Sequence, residues 1–245
     1  MSKSKKFKNA ALLIIGNEIL SGRTQDKNIN YLAKQLFSHG ISLEEVRVIP
    51  DVKSTIIKTV KSLKNNFNYI ISTGGIGATH DDITAESISA ALKKDYCLNK
   101  KALKELEKYY KNKSDLTDAR KKMAYMPKGS KIILNKVSGA PGFQIENIYV
   151  FAGIPIIVEA MMKELLKNIK SNTKIYSKSI KTKFFESMIA QKLKNTEIEF
   201  NDVRVGSYPI FDGKFRGVEI VMNSYSKKNI DLAFKYLKKE LNKKI

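Results

Sequence analysis

Residues 68–84 read NYIISTGGIGATHDDIT, and the order of residue types in this stretch decides the fold. Tyr69, Ile70 and Ile71 make an apolar run of the length expected for a buried strand. Gly74, Gly75 and Gly77 then mark a place where the backbone must turn sharply. After Asp81, Asp82 and Thr84, residues 85–92 (AESISAAL) read as a helix with an acidic residue in its first turn. Strand, glycine loop and helix N-terminus together make an anion site. Backbone N–H groups can approach phosphate oxygens there, and the helix dipole favours negative charge.

The two carboxylates change that reading. Phosphate repels Asp81 and Asp82, so a cation is expected between them and the ligand. Hard oxygen donors suit Mg²⁺ or Mn²⁺. The alternative is that Asp82 only caps the helix and Asp81 is solvated. The loop is not a P-loop, because no Gly-Lys-Ser/Thr follows, and it lacks the Gly-x-Gly-x-x-Gly fingerprint.

Toward the N-terminus, residues 10–15 (AALLII) read as a buried strand closed by Gly16. Ligands of open α/β sheets sit outside the carboxyl ends of strands, which makes Asn17, Glu18 and Arg23 site candidates, with ordinary turn chemistry as the alternative. Ile29, Leu32, Ala33, Leu36 and Phe37 then share one helical face, and Gly40 ends that helix. A second strand is expected over 41–49, followed by Asp51. That residue either caps the next helix or is a second strand-end carboxylate near the loop of Asp82. The next helix is read from Ile56, Val60, Leu63 and Phe67. Alternation of this kind predicts a three-layer α/β/α domain on a mostly parallel sheet.

Downstream, 95–126 shows no strand pattern and reads as two polar helical stretches, 100–111 and 116–124. We expect an inserted arm there that contributes to a homo-oligomer contact. A short strand at 131–134 leads into a second glycine-rich loop, 135–142 (NKVSGAPG), then a hairpin turning at Glu146-Asn147. Gly153-Ile154-Pro155 opens a helix in which Val158, Met161, Met162 and Leu165 share a face, a methionine pair better suited to core than to site. A composition shift at 170–173 suggests a linker. Beyond it come a strand at 174–181, a helix through Ile189 and Leu193, strands at 202–207 and 215–222, and a helix through Ile230 and Leu237. The expected division is a domain over 8–173 and a small α+β domain over 174–245.

The formal charge of +21 invites a nucleic-acid reading, but arginine occurs only at Arg23, Arg47, Arg120, Arg204 and Arg216, and the lysines are scattered through every segment. A lysine-, asparagine- and isoleucine-rich coding composition explains the charge, and specific nucleic-acid binding is not expected. The field should still draw small anions. No apolar run has the length of a membrane span, and the first residues lack the core of a signal peptide. Cys97 is the sole cysteine, which excludes an internal disulfide and a cysteine-based zinc site. A cytoplasmic protein is expected.

These motifs carry a resemblance. TGGIGATHDDIT resembles the glycine-loop signature of the competence/damage-inducible protein A (CinA) family, and GNEILSGR, DKNINYLAKQL, NKVSGAPGF and AGIP resemble its other loops and first helix in the same order. The likeness spans nearly the whole chain. It extends to the MoaB/Mog molybdopterin-binding superfamily, and the GGIG and AGIP variants resemble the molybdopterin-binding-like half of eukaryotic FAD synthases. Two departures stand out: Ala78 replaces the usual proline, and the sequence ends at Ile245, so the deamidase domain of longer members, and deamidation of nicotinamide mononucleotide, are not expected.

The resemblance implies a metal-dependent pyrophosphatase acting on ADP-ribose or a similar dinucleotide such as FAD, with Mg²⁺, Mn²⁺ or Co²⁺, or else a non-catalytic binder of a pterin phosphate (molybdopterin) or nucleotide. On the first reading Asp82 and Asp81 hold the metal, with Asp51 or Glu18 nearby. Ligand contacts are implied at Asn17, Glu18, Gly74, Gly75, Gly77, Thr79, Thr84, Asn135, Ser138 and Gly142. Cleaving a pyrophosphate needs charge compensation and an oriented water but no potent nucleophile, and none is evident.

Overall fold

The run AALLII is buried because both faces of its strand are covered. The computed structural model describes residues 8–169, 174–211, 213 and 216–242. In it, the first strand β1 (Lys8–Ile15) points Ala11, Leu13 and Ile15 into one core and Ala10 and Leu12 into another. A period of two with no polar face is the pattern of a central strand sandwiched between helix layers. The chain continues through α1 (Asn17–Leu20), α2 (Asn28–Ser38), β2 (Ile41–Ile49), α3 (Lys53–Lys64), β3 (Tyr69–Thr73) and α4 (Thr84–Ala91). Next come β4 (Tyr96–Leu98), α5 (Lys100–Tyr109), α6 (Asp118–Lys121), β5 (Tyr125–Pro127), β6 (Lys131–Ile133), β7 (Gly142–Ile145), β8 (Ile148–Phe151) and α7 (Pro155–Asn168).

Six of these strands form one sheet in the order β2-β1-β3-β8-β7-β6. The pairs β1–β2, β1–β3 and β3–β8 are parallel, while β7 is antiparallel to both β8 and β6. Leu32 and Leu36 of α2 and Val158, Met161, Met162 and Leu165 of α7 cover one face. Ile56, Val60 and Leu63 of α3, Ile88 of α4, and Ala102 and Leu106 of α5 cover the other. Each such Leu or Ile, fully buried, contributes about 1.5–3 kcal/mol. The expected three-layer α/β/α architecture holds, and the methionine pair is core.

Segment 95–126 differs from its expectation. It is no strandless arm: Tyr96↔Pro127, Cys97↔Met126 and Leu98↔Tyr125 pair as an antiparallel ribbon. Ala102, Leu106, Leu116, Ala124 and Met126 are buried in the core. Strands of three residues are too short for alternation to register in sequence.

The chain divides into two compact units, the larger from 7–37 and 41–170 and the smaller built on 171–245. In the smaller, β9 (Tyr176–Thr182), α8 (Glu186–Glu199), β10 (Arg204–Phe211), β11 (Arg216–Ser224) and α9 (Lys227–Asn242) form an antiparallel sheet, β10-β11-β9, with two helices. Val218, Ile220 and Met222 alternate along β11 into a core shared with Ile230, Ala233 and Leu237 of α9. Pro209 lies on the edge strand β10, where a missing N–H is tolerated. The expected linker at 170–173 and Phe215, the start of an expected strand, lie outside the described residues.

Candidate functional site

The glycine loop is clamped between the ends of neighbouring strands. Gly74 has φ +96°, and a Cβ there would lie 2.0 Å from the Ile15 carbonyl oxygen. Its N–H donates to the Phe151 carbonyl at 3.2 Å, so the loop is tied to β8 as well as pressed on β1. Gly75 has φ +66°, and a Cβ there would lie 2.2 Å from Thr84 Oγ1. Thr84, fully buried, donates its N–H to the Gly75 carbonyl and its hydroxyl to the Gly74 carbonyl, both at 3.0 Å. Thr84 therefore closes the loop from inside and presents no hydroxyl to a ligand.

Asp82 does not cap α4. The cap position is Ile83, with no side-chain cap hydrogen bond. Asp82 Oδ2 instead accepts the Thr79 N–H at 2.8 Å and also contacts the Thr79 hydroxyl. Gly77 makes room for that carboxylate, since a Cβ there would sit 2.6 Å from Asp82 Oδ2. The same Thr79 hydroxyl lies 2.6 Å from Asp81 Oδ1. A hydroxyl carries one proton, so it can donate to only one of two carboxylates at a time. The Thr79 hydroxyl, the Asp81 backbone N–H and the charges of His80 and Lys122 hold the exposed Asp81 carboxyl below the usual carboxylate range.

Lys122 reaches this loop from a short 3₁₀ turn after α6 and donates its Nζ to the Thr79 carbonyl at 2.8 Å. It stands with Gly75, Gly77, Asp82, Tyr96 and Tyr125 around a crevice of about 10 Å³, the size of one water. Burial first, then Glu86 and Tyr125, pushes the Tyr96 hydroxyl up to about 12, so it remains a neutral donor. Sequence reasoning missed Lys122, Tyr96 and Tyr125. A lysine in a polar helical stretch and tyrosines in three-residue strands carry no local signal.

Asp51 resolves its two alternatives. The α3 cap position is Val52, without a side-chain cap bond, and Asp51 Oδ2 accepts the Asn17 N–H at 2.9 Å. It is a strand-end carboxylate that ties the turn after β1 to the end of β2, and its Oδ1 lies 3.6 Å from the Cβ position of Gly75. Asn17 and Glu18 are exposed beside it, Glu18 folded back against Gly16. The buried Asn28 donates to the Gly153 carbonyl at 2.8 Å and holds the end of β8 against Gly74. The carboxyl ends of β1, β2, β3 and β8 thus meet in one place, where open α/β sheets bind ligands.

Asn135, Ser138 and Gly142 have partners within their own loop and strands. Asn135 is 5% exposed; its Nδ2 donates to Ser138 Oγ at 2.6 Å and the Ala140 carbonyl at 3.0 Å, and its Oδ1 accepts from Val137 and Ser138 N–H groups. A Cβ on Gly142 would lie 2.3 Å from the Val150 carbonyl, so this glycine serves close strand contact. The loop reaches the crevice through Pro141, with Phe143 just after it.

Among the described residues, no group of three or more His, Cys, Asp or Glu side chains is placed to hold a metal. Asp81 and Asp82 are two. That number fits Mg²⁺, which is commonly held by one or two carboxylates and completes its shell with waters and substrate phosphates. It does not fit a cage made by protein alone.

Among the described residues, no helix is long and apolar enough to cross a membrane. Residues 11–171 match the family described as "Probable molybdopterin binding domain", and 174–245 match "FAD synthase, middle domain". A protein of Archaeoglobus fulgidus is 32% identical over 233 residues, covering 95% of this chain and 98% of the relative. A CinA-like protein of Thermosipho melanesiensis is 30% identical over 242 residues, 96% of this chain but 59% of that protein. The crystal structure of the protein CinA, of unknown function, from Thermoplasma acidophilum aligns with TM-score 0.62 and 31% identity, covering 66% of this chain and 98% of that one. With its glycine loop, its mostly parallel sheet and its second α+β unit, the chain belongs to the probable molybdopterin binding domain family and is CinA-like.

Proposed function

We propose that the larger unit binds a phosphorylated small molecule at loop 74–83 and, with a divalent cation (Mg²⁺, Mn²⁺ or Co²⁺), hydrolyses the pyrophosphate of an ADP-ribose- or FAD-type dinucleotide. The observation that carries this reading is the convergence of Asp81 and Asp82 on the single hydroxyl of Thr79, at the mouth of a glycine loop. Two ionised carboxylates beside an anion cradle repel phosphate unless a cation lies between. When bound, the cation would offset charge on the phosphates and favour a hydroxide-like water. Asp81 and Asp82 are the residues that would hold it. Lys122 adds a positive charge at the Thr79 carbonyl, and Tyr96 offers a neutral O–H. Asp51 keeps the Asn17 turn in register with the loop. Water forms one P–O bond, the bond to the bridging oxygen breaks, and ADP-ribose yields AMP and ribose 5-phosphate.

The test is purified protein with ADP-ribose or FAD and each cation, with AMP measured. Cation-dependent AMP release is expected. Tight binding of these dinucleotides without AMP would overturn catalysis and favour the second reading, a non-catalytic binder of a nucleotide or pterin phosphate, which the family match supports. A homo-oligomeric state and a cytoplasmic location belong to the same proposal; a monomer mass in sedimentation at micromolar concentration would remove the first.

A further inference from the structure

The β4–β5 ribbon has a second concave side. A groove of about 600 Å³ lies over Cys97, Leu98, Met126, Pro127 and Ile132, a volume within the range of small-molecule pockets. Its rim carries Lys100, Lys101, Lys128 and Lys131 and no acidic side chain. Lys128 has Asp95 at 3.4 Å, but among the described residues no acid pairs with Lys100, Lys101 or Lys131. Four lysines surround this one cavity. Like charges gathered this way repel one another and raise the local concentration of anions.

The walls are fixed by hydrogen bonds of their own. The Asn99 N–H donates to the Ala124 carbonyl at 2.9 Å, the Lys128 N–H to the Asp95 carbonyl at 2.8 Å, and the Ser130 hydroxyl to the Pro127 carbonyl at 2.6 Å. Asn99 Oδ1 already accepts the Lys101 and Ala102 N–H groups, so the start of α5 is capped and the lysines are left to bind the anion. An apolar floor under a cationic rim suits an organic anion, its body on Leu98 and Ile132 and its charges on the lysines. An extended nucleic acid would call for a stripe along the surface, not a cavity.

We propose that this groove is a second ligand site, for a nucleotide-sized organic polyphosphate, separate from the glycine loop and independent of metal. Cys97 is the only cysteine in the chain and lies in the groove wall, partly exposed, so its alkylation reports on this site alone. The experiment follows N-ethylmaleimide labelling of the full chain in EDTA, with ATP as the probe. Labelling should slow about tenfold when ATP is at roughly ten times its dissociation constant, because only the free tenth reacts. The slowing should persist in Asp82→Asn and vanish in the combined Lys100→Gln, Lys101→Gln, Lys131→Gln variant, whose altered side chains are exposed and whose melting temperature checks the fold. Lys131→Glu alone should weaken ATP by about tenfold. An unchanged rate at millimolar ATP, slowing that survives loss of the three lysines, loss of the effect in Asp82→Asn, or protection by duplex DNA where ATP gives none would each overturn the proposal.

Discussion

Two glycine-rich loops leave strands of the larger unit, and they use their polar groups in opposite ways. In 135–142, Asn135 is buried and its amide is bonded within the loop on both sides. In 74–83, Thr79 is exposed, two carboxylates compete for its hydroxyl, and a lysine from a distant segment holds its carbonyl. Both are rich in glycine and both have positive-φ positions. A loop whose polar groups satisfy one another is a joint in the fold, whereas a loop that gathers exposed charged groups at its mouth is equipped to bind.

The largest effect expected is from Gly74→Ala. The new Cβ would meet backbone on β1 in a left-handed conformation, where neither side can yield, and the cost should be about 4 kcal/mol or more. In Gly139→Ala, also at positive φ, the Cβ would lie 2.3 Å from Tyr109 Cβ, an atom the backbone fixes. Tyr109 is 48% exposed at the last turn of α5, where the backbone has room to shift, so thermal melting should rank Gly139→Ala behind Gly74→Ala. A Gly74→Ala protein that melts with the wild type would break the account of a clamped loop.

Asp82→Asn comes next. Catalytic turnover should fall about a hundredfold, or about 2.7 kcal/mol in barrier, if the carboxylate holds a cation. The melting temperature should move little, because the asparagine oxygen can still accept the Thr79 N–H. Unchanged turnover would remove the charge from the mechanism, and a collapse in melting temperature would make Asp82 structural. Asn135→Ala should do the reverse: stability falls by about 2–3 kcal/mol as buried groups lose their partners, while ligand affinity measured by calorimetry stays put. Weakened affinity at native stability would turn this loop into the ligand contact that the resemblance implied.

Lys122→Gln should raise the ligand dissociation constant about tenfold, equivalent to about 1.4 kcal/mol. No change would leave Lys122 as a tether of the Thr79 carbonyl and nothing more. The smallest effect concerns pH. Asp81 is held below the usual carboxylate range, chiefly by the Thr79 hydroxyl. A depressed folded value means its contribution is complete above the unfolded value and is lost as pH falls through the folded one. Cation-dependent binding should therefore persist to a lower pH in wild type than in Thr79→Val, and coincident acid limbs would show that the hydroxyl does not tune Asp81.

Much of the architecture was legible beforehand. The strand at 41–49, the hairpin turning at Glu146-Asn147 and the order of elements in the smaller unit follow from periodicities that act within a few residues. The ribbon of Tyr96 to Leu98 with Tyr125 to Pro127 did not show, because its partners lie far apart in sequence and each strand is three residues long. A cap was one of two alternatives for Asp82 and for Asp51, on the general preference of aspartate before a helix. Both carboxylates instead found backbone N–H groups outside the helices they precede, at Thr79 and Asn17.

Sequence alone determined the layers and the glycine loop. A strand apolar at every position must be covered on both faces, an amphipathic helix must turn one face inward, and a chain that bends sharply between strand and helix needs glycine where φ is positive. These are constraints of local sterics and of water, and they do not depend on what the rest of the chain does. Tertiary structure decided who meets at the loop: Lys122 with the Thr79 carbonyl, Asp51 with the Asn17 N–H, and Tyr96 beside Tyr125; it also gathered four lysines around the separate groove. Such meetings join segments far apart in the chain. Their geometry is set by which surfaces the packed core brings together, which no short window of sequence contains.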